Sequence, residues 1–565
     1  MSEQRPWLKF YEPGVPQTLE YPEIAVSEFL DQSAARFPQH TATVFFGARL
    51  TYRRLQDLAD RFAAALIRLG VRAGDRVSLH LPNCPQFLIA YYGALKAGAV
   101  VVPFNPLYVE REIEHQLNDS GTAVAVTLDL VFPKLAAVRP RTPLRTIIVT
   151  SINEFFPPLL RLLYPLKARR EGHLVEVPWA HDVRRFGELV AAPLNHSLRS
   201  GSGQAPAQND LGSPAVLLYT GGTTGVPKGA ALSHRNLVCN TLQARAWFTQ
   251  LRPGEGTALA VIPFFHSYGM TSAMNLCVSN GSRLILLPRF QIEQVFGAIS
   301  RYRPTMFPGV PTMYTAIINH PQAHRVDMRS IQACISGAAP LPGEVQTRFE
   351  ALTGGRLVEG YGLTETSPVT HVNPIQGTRK LGSIGVPIPD TDAWIVDAEN
   401  PDRILGIDEV GELAIRGPQV MAGYWNHPQE TSQVVRDGWL LTGDIAKMDA
   451  DGFFYIVDRK KDLIISGGLN IFPREVEEAL YAHPAVLEAA AIGVRDEYRG
   501  EAVKVFVVLK PGAAATAEEI IEYCRQHLAR FKVPQAVEFR EQLPKSLVGK
   551  ILRRVLMEED QSRRQ

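Results

Sequence analysis

The chain has 565 residues, more than one hydrophobic core usually serves, so two or more domains are expected. Hydrophobic residues make up 45% and charged residues 21%, ordinary for a globular protein, and a net charge of +2 gives no global argument for nucleic-acid binding. Cys84, Cys239, Cys277, Cys334 and Cys524 are scattered and show no C-x-x-C spacing, which argues against a disulfide framework or structural zinc and fits a reducing cytosol. The amino terminus lacks the apolar core of a signal peptide, and no apolar run is long enough to span a bilayer. The expectation is a soluble protein, or one that at most rests on a membrane surface.

From about Ile24 to Pro106 helix and strand alternate. Leu55, Leu58, Phe62, Leu66 and Leu69 recur at helical spacing and Gly70 supplies a stop. Val77–Leu81 and Ala99–Pro103 read as strands around a helical Phe87–Ala97, which points to a parallel α/β sheet. The segment Phe155–Arg170 mixes bulky apolar residues with Arg161, Lys167, Arg169 and Arg170. It reads either as a membrane-surface patch or as an excursion packed on the protein body. Its prolines should break any long amphipathic helix, which favours the packed excursion. Arg199–Gly212 is rich in Gly, Ser, Ala, Pro and Gln and reads as a loop.

That loop leads to Tyr219-Thr-Gly-Gly-Thr-Thr-Gly-Val-Pro-Lys-Gly229, entered by the apolar strand Ala215–Tyr219. Gly221, Gly222 and Gly225 leave backbone amides bare, Thr220, Thr223 and Thr224 bring hydroxyls, and Lys228 brings a charge, a composition suited to phosphate. The wording is not the Gly-x-x-x-x-Gly-Lys-Ser/Thr phosphate loop, because Lys228 follows Val-Pro and precedes Gly229. A strand at Gly229–Leu232 should follow, then a helix capped by Ser233, with Leu232 and Leu237 at hydrophobic-staple spacing. Strands at Ala258–Ile262 and Arg283–Leu287 alternate with helices, and Val410–Gly452 carries the hairpin signals Asp437-Gly438 and Asp451-Gly452. After Arg459 the texture changes to a helix at Pro473–Tyr481, strands at Glu488–Val494 and Val503–Leu509, and a helix at Thr516–Arg530 opened by the Thr516/Glu519 capping box. The fold expected is α/β, with a large N-terminal domain of layered α/β subdomains over residues 1–460 and a small mobile α+β C-terminal domain over 461–565.

Four further stretches occur in order with the phosphate-type loop. They are Pro263-Phe-Phe-His-Ser-Tyr-Gly269, Gly360-Tyr-Gly-Leu-Thr-Glu-Thr366, Leu441-Thr-Gly-Asp444, and the pair Asp458-Arg-Lys-Lys-Asp462 with Leu543-Pro-Lys-Ser-Leu-Val-Gly-Lys550. In this order and rough spacing the chain resembles the adenylate-forming enzymes, specifically acyl-CoA synthetases, from about Tyr21 to Arg554. The wording of the motifs is most similar to bacterial long-chain fatty-acid–CoA ligases.

The resemblance implies ATP, Mg²⁺ and CoA as cofactor and co-substrates, with a fatty acid activated to acyl-AMP and passed to CoA. Two anions must meet in the first step, so charge compensation and positioning dominate. Thr220 and Glu365 offer hard oxygens suited to Mg²⁺, the role the resemblance gives them. Glu359, Gly360, Tyr361, Gly362 and Thr364 fall on the nucleotide side, Tyr361 with a flat ring for adenine and Gly337-Ala338-Ala339 on its other face. Asp444 is acceptor-only when ionised and suits the ribose hydroxyls, with Arg459 beside it. His266 is placed near the acyl carboxylate as a wall or gate rather than a general base, because a carboxylate is already deprotonated at neutral pH. Lys550 should bridge carboxylate and α-phosphate in the first step. For the second, the small domain is implied to rotate about Lys461, withdraw Lys550 and present Ser466-Gly467-Gly468 to the pantetheine arm.

Taken alone, Glu365, Asp444, Tyr361, His266 and Lys550 each have an ordinary structural explanation. Their ordered co-occurrence is what favours one shared architecture. Met270, Met274, Phe307 and Gly309 are the candidates for the wall of an acyl tunnel. A medium-chain or aryl acid–CoA ligase and an adenylation enzyme loading a carrier protein remain alternatives, the latter disfavoured because the chain ends soon after Lys550. A silent binding module would be expected to lack Lys550 or Glu365. The partners expected are small molecules and no nucleic acid, at a cytoplasmic location. Peripheral contact with the inner face of the cell membrane and a homodimer are both left open.

Overall fold

The structure, a computed structural model, describes all residues except 1–4, 173, 194–209, 221–226, 467–468, 497–498, 547–548 and 565. The first α/β unit starts with helix α1 (Tyr52–Arg68), whose buried Leu55, Leu58, Phe62 and Leu66 recur as their spacing predicts. Thr51 caps it, accepting from the Arg54 N–H, and Gly70 ends it at φ +86°. Strands β1 (Arg76–His80), β2 (Val100–Pro103), β3 (Val124–Leu128), β4 (Thr146–Thr150), β5 (Val183–Arg185), β6 (Pro214–Thr220) and β7 (Lys228–Ser233) make most of an eight-stranded sheet. Its order is the short strand Gly423–Tyr424, then β7, β6, β2, β1, β3, β4 and β5. Pairing is parallel from β6 through β5 and antiparallel only at the β6–β7 hairpin and the Gly423–Tyr424 edge. Helix α2 (Pro85–Lys96) is buried along nearly its whole length, and α3 (Glu110–Ser120) follows β2.

Residues 155–170 depart from the sequence expectation. Pro158–Arg170 is a continuous helix, α4, with Pro165 inside it and only Ala168 buried. Proline at 165 removes the donor that would bond to the Arg161 carbonyl, and the Asn153 Nδ2 donates to that oxygen at 3.3 Å instead. The prolines do not break the segment, and only its start, Phe155 and Phe156, packs against the core, while the helix that follows stays largely exposed. Of the loop expected at 199–212, residues 199–209 lie outside the described residues.

After β7, helix α5 (His234–Trp247) begins at Ser233, which accepts from the Asn236 N–H at 3.0 Å. A second parallel set pairs β8 (Thr257–Ala260) with β9 (Arg283–Leu286) and β9 with Thr41–Phe45. Met306 bridges Ala258 and Ala333, joining it to β10 (Ala333–Ser336), β11 (Arg356–Gly362) and β12 (Val369–Val372). An antiparallel layer follows: β13 (Asp392–Val396), β14 (Gly411–Arg416), β15 (Trp439–Met448) and β16 (Phe454–Arg459), with the short helix α6 (Pro428–Val434) before β15. The Asp437-Gly438 hairpin is present, both residues at positive φ between the paired Arg436 and Trp439.

Beyond Arg459 the chain builds a separate core around Ile464, Val476, Leu480, Val505 and Ile520. Its sheet contains β17 (Ile464–Ser466), β18 (Leu469–Ile471), β19 (Val486–Asp496), β20 (Gly500–Leu509) and β21 (Ala536–Phe539). Helices α7 (Pro473–Tyr481), α8 (Ala517–His527) and α9 (Arg553–Arg564) complete the unit, α8 with the capping box its sequence announces. A large α/β body with a small α+β unit is the architecture the sequence calls for. The five cysteines are buried and free.

Candidate active site

The Gly/Thr stretch forms the connection of the β6–β7 hairpin, with Thr220 opposite Lys228 and Tyr219 opposite Gly229. Gly221, Gly222, Thr223, Thr224 and Gly225 lie outside the described residues, but both roots of the loop are defined. The Tyr219 Oη donates to Asp119 Oδ2 at 2.5 Å, and the His115 Nε2 donates to the Pro227 carbonyl at 2.9 Å, so α3 grips each side. The Thr220 hydroxyl donates in a long contact, 3.5 Å, to the Lys228 carbonyl. Lys228 stands 3.4 Å from the Glu430 carboxylate on α6 and 5.7 Å from the Tyr424 ring centroid.

Tyr424 ties this lysine to Glu365. Its hydroxyl donates to Glu365 Oε1 at 2.8 Å, and burial raises the glutamate's pKa. Gly360 and Gly362 are required by packing. A Cβ at Gly360 would lie 2.8 Å from Ile335, and one at Gly362 would lie 2.0 Å from the Pro368 carbonyl. Glu359, one residue before this turn, is buried and accepts from the Leu341 N–H at 3.2 Å. Burial pushes its pKa up to about 7, against the opposing charge of Arg474.

Between these glycines Tyr361 projects from β11. Its hydroxyl donates to Asp444 Oδ2 at 2.6 Å, and the Arg459 Nε is 3.2 Å from Asp444 Oδ1. Cross-strand pairing of Asp444 on β15 with Arg459 on β16 sets that ion pair. His371 meets the Tyr361 ring edge-on at 5.9 Å, a neighbour the sequence reading omits. Gly337-Ala338-Ala339 leaves β10 in a turn with Ala338 at φ +66°. A Cβ on Gly337 would come within 3.3 Å of the Tyr268 ring. Thr364 opens the short turn Thr364–Thr366 that carries Glu365.

His266 precedes a short helical turn and accepts from the Tyr268 N–H through Nδ1 at 3.2 Å. Burial, with the charge of Lys550 added, lowers its pKa to about 4. Lys550 arrives from the small unit on a tight loop in which Ser546 N–H donates to the Lys550 carbonyl at 2.8 Å. Gly549, at φ +74°, brings this loop against Thr312 of the large body, where a Cβ would be 2.6 Å from Thr312 Oγ1. Burial, joined by the charges of Arg459 and Arg553 and opposed by Asp444 and Asp462, lowers the Lys550 pKa to about 8. The sequence-predicted His266, Asp444, Arg459 and Lys550 are therefore brought together.

Lys461 is exposed in a turn between β16 and β17. Gly467 and Gly468 lie outside the described residues. Asp458 sits just before the turn and accepts the N–H groups of Arg459 and Arg474, each at 2.7 Å, so it caps α7 from across the junction. Arg553 adds bonds to Asp462 and Glu477 at 2.7 Å. Among the proposed tunnel residues, Met270 and Met274 lie buried on the π-helical turn Met270–Asn275. Phe307 and Gly309 are buried beside Tyr314, whose hydroxyl donates to the Phe307 carbonyl at 2.8 Å.

The layered body, the glycine-threonine hairpin and the Tyr361–Asp444–Arg459 cluster met by a lysine from a second unit define a nucleotide-dependent, adenylate-forming architecture. The chain belongs to the AMP-binding enzyme family, whose sequence model matches residues 30–425, and the model of that family's C-terminal domain matches residues 475–550. A long-chain-fatty-acid–CoA ligase of Bacillus subtilis (strain 168) is 47% identical over 560 residues, covering 99% of each chain. A protein of the same name from Yersinia pestis is 40% identical, covering 99% of this chain and 98% of its own. Among solved structures, ATP-bound MatB from Rhodopseudomonas palustris superposes with a TM-score of 0.81 at 28% identity, covering 95% of this chain and 99% of its own.

Proposed function

We infer that the protein activates a long-chain fatty acid with ATP to acyl-AMP, releasing pyrophosphate, and then transfers the acyl group to CoA with release of AMP. One observation carries the reading: Lys550 of the small unit stands in the field of Asp444, Arg459 and His266 of the large body. A cation there meets the carboxylate and the α-phosphate where negative charge accumulates, in a site that screens it poorly. Tyr361 and Gly337–Ala339 take the adenine, and Asp444 takes the ribose through lone pairs left on oxygens already held by Tyr361 and Arg459. Thr220–Gly225 and Lys228 take the outer phosphates, with Glu359, Gly360, Gly362 and Thr364 shaping the nucleotide wall. Glu365 and Thr220 fit Mg²⁺ by donor chemistry, since Glu365 spends one oxygen on Tyr424 and keeps the other. Bound magnesium supplies charge neutralisation on the phosphates. His266, held neutral, serves as a wall to the acyl carboxylate rather than as a proton acceptor, and Met270, Met274, Phe307 and Gly309 line the acyl site.

In this reading the domains meet at residues 460 and 461, and the thioester step follows rotation at Lys461, which presents Gly467 and Gly468 to CoA. The rotation must break the Asp458 cap on α7 and the seat of Gly549 on Thr312. Lys461→Pro should keep single-turnover pyrophosphate release and lose acyl-CoA formation, with Lys461→Ala as the control. An aryl acid is the second reading, favoured by a feruloyl-CoA synthase of Amycolatopsis sp at 36% identity. Pyrophosphate release across acids of graded length and across aryl acids, with and without CoA, decides between them. Release confined to short or aromatic acids overturns the long-chain assignment.

A further inference from the structure

Helix α4 presents an apolar face with no cover among the described residues. Leu159, Leu160, Leu162, Leu163 and Leu166 are exposed by 45% (Leu160) to 75% (Leu162). With about 3.6 residues per turn, these leucines fall on one half of the helix, which Lys167 and Arg170 share at its last turn, and the buried Ala168 falls on the opposite side. Single exposed leucines are ordinary on a protein surface, but five on one face of one helix are not. The helix is nevertheless fixed. Tyr164 packs edge-on against Phe156 at 5.5 Å, Phe156 meets Phe46 at 4.6 Å, and Asn153 satisfies the carbonyl that Pro165 frees. A rigid base holds the leucines away from the body.

Charge narrows the occupant. The last turn of α4 carries Lys167, Arg169 and Arg170, all exposed, and its first turn carries no acid. Glu171, 3.8 Å from Lys167, is the acidic residue next to this turn. A second copy laid antiparallel on the stripe would set each basic end against an end without acids, so self-pairing gains nothing from charge. An anionic lipid surface offers both complements, acyl chains for the leucines and headgroup phosphates for the cations beside them.

We propose that α4 is a monotopic membrane-docking helix that lays its leucine face into the interface of an anionic phospholipid bilayer. The docking carries no chain across the membrane, in keeping with the absence, among the described residues, of a helix long and apolar enough to span one. It also places the enzyme where a long-chain acid partitions. That consequence rests on the proposed fatty-acid activity, whereas the binding itself does not.

The test is flotation of the full chain with vesicles of phosphatidylcholine alone and of phosphatidylcholine mixed with phosphatidylglycerol. Wild type should float with the mixed vesicles and lose binding several-fold as salt is raised, because exposed charges are screened. L159S/L162S/L166S should lower partition by at least roughly tenfold on the mixed vesicles. R169E/R170E should lower it by roughly tenfold on the mixed vesicles only. Both variants should keep the wild-type melting temperature, and the wild-type rate with a long-chain acid delivered from albumin without vesicles. Flotation of the triple-serine variant equal to wild type overturns the proposal. So does a wild type that fails to float, including one that sedimentation shows to be a dimer dispersed by the leucine changes. If no acid is activated while the flotation pattern holds, the functional reading fails and the docking surface stands.

Discussion

The proposed function sets two lysines from different regions against the nucleotide, and their settings differ. Lys228, at the root of the β6–β7 hairpin, is already paired, 3.4 Å from Glu430 and over the Tyr424 ring. Lys550, on the small unit's loop, enters among groups of mixed sign, and burial with Arg459 lowers its pKa to about 8. A paired lysine keeps its charge before the ligand arrives and exchanges one anion for another. A desolvated lysine beside an arginine is costly to keep charged, and an incoming anion relieves that cost. The first arrangement suits holding a phosphate. The second suits a charge that matters only while the reaction proceeds.

The largest effect is therefore expected at Lys550. Lys550→Ala should slow acyl-AMP formation by roughly 10²-fold or more, the scale of losing a transition-state charge partner. Thioester formation from supplied acyl-AMP should survive. Separate assays of the two half-reactions check this, and equal damage to both would erase the distinction between the lysines.

Next comes Glu365, which reaches the Lys228 side through Tyr424. Glu365→Gln is nearly isosteric and removes one charge, so the fold should hold while the apparent affinity for magnesium falls roughly tenfold. A magnesium titration at saturating ATP reads it directly. An unchanged titration removes Glu365 from the metal site.

The pH dependence sharpens the contrast at Lys550. Its proposed role requires the cation, and its pKa in the free protein is lowered to about 8. Adenylation kcat/KM should therefore fall as pH rises through about 8, approaching tenfold per unit above it. Lys550→Arg stays charged and should move that limb upward even if its rate is lower. A limb in the same place for both proteins assigns the titration elsewhere.

Much of the frame was legible because local signals agree with the fold. Ser233 caps α5, Thr516 and Glu519 close a capping box, and Asp437-Gly438 turns a hairpin as the short-range rules require. The ordered motifs located Tyr361, Asp444, Arg459 and Lys550, which the structure brings together. What was not legible is the set of partners joined only by tertiary folding. Glu430 faces Lys228, Tyr424 faces Glu365, and Asp119 faces Tyr219, none within fifty residues of its partner and none announced by spacing. Helix α4 was misread for a similar reason. Pro165 does cost a backbone bond, but Asn153 twelve residues earlier makes good the loss, and proline rules alone do not see a side chain that does so.

The smallest and most discriminating change is Glu430→Gln. Glu430 is the anion beside Lys228, the place the proposed function gives to a phosphate oxygen, and the pair is about one-third exposed on both sides, 30% and 33%. His427 steadies Glu430 through Nδ1 at 3.3 Å, and its Nε2 lies 3.4 Å from Asp119, the carboxylate that also holds Tyr219. Glu430 is thus fixed by the same helix that grips the loop's other root, and the proposed ATP site makes it a competitor of ATP rather than a contributor to the reaction. Solvent screens a partly exposed pair, so removing the charge should lower the KM for ATP by no more than about fivefold and leave kcat unchanged. Lys228→Met removes the ligand's own partner and should raise KM instead, so opposite shifts for the two variants identify Glu430 as a stand-in for phosphate. If Glu430→Gln raises KM, the carboxylate positions Lys228 for ATP. The paired lysine would then be held ready by its partner, and the contrast with Lys550 would lie in timing rather than in competition.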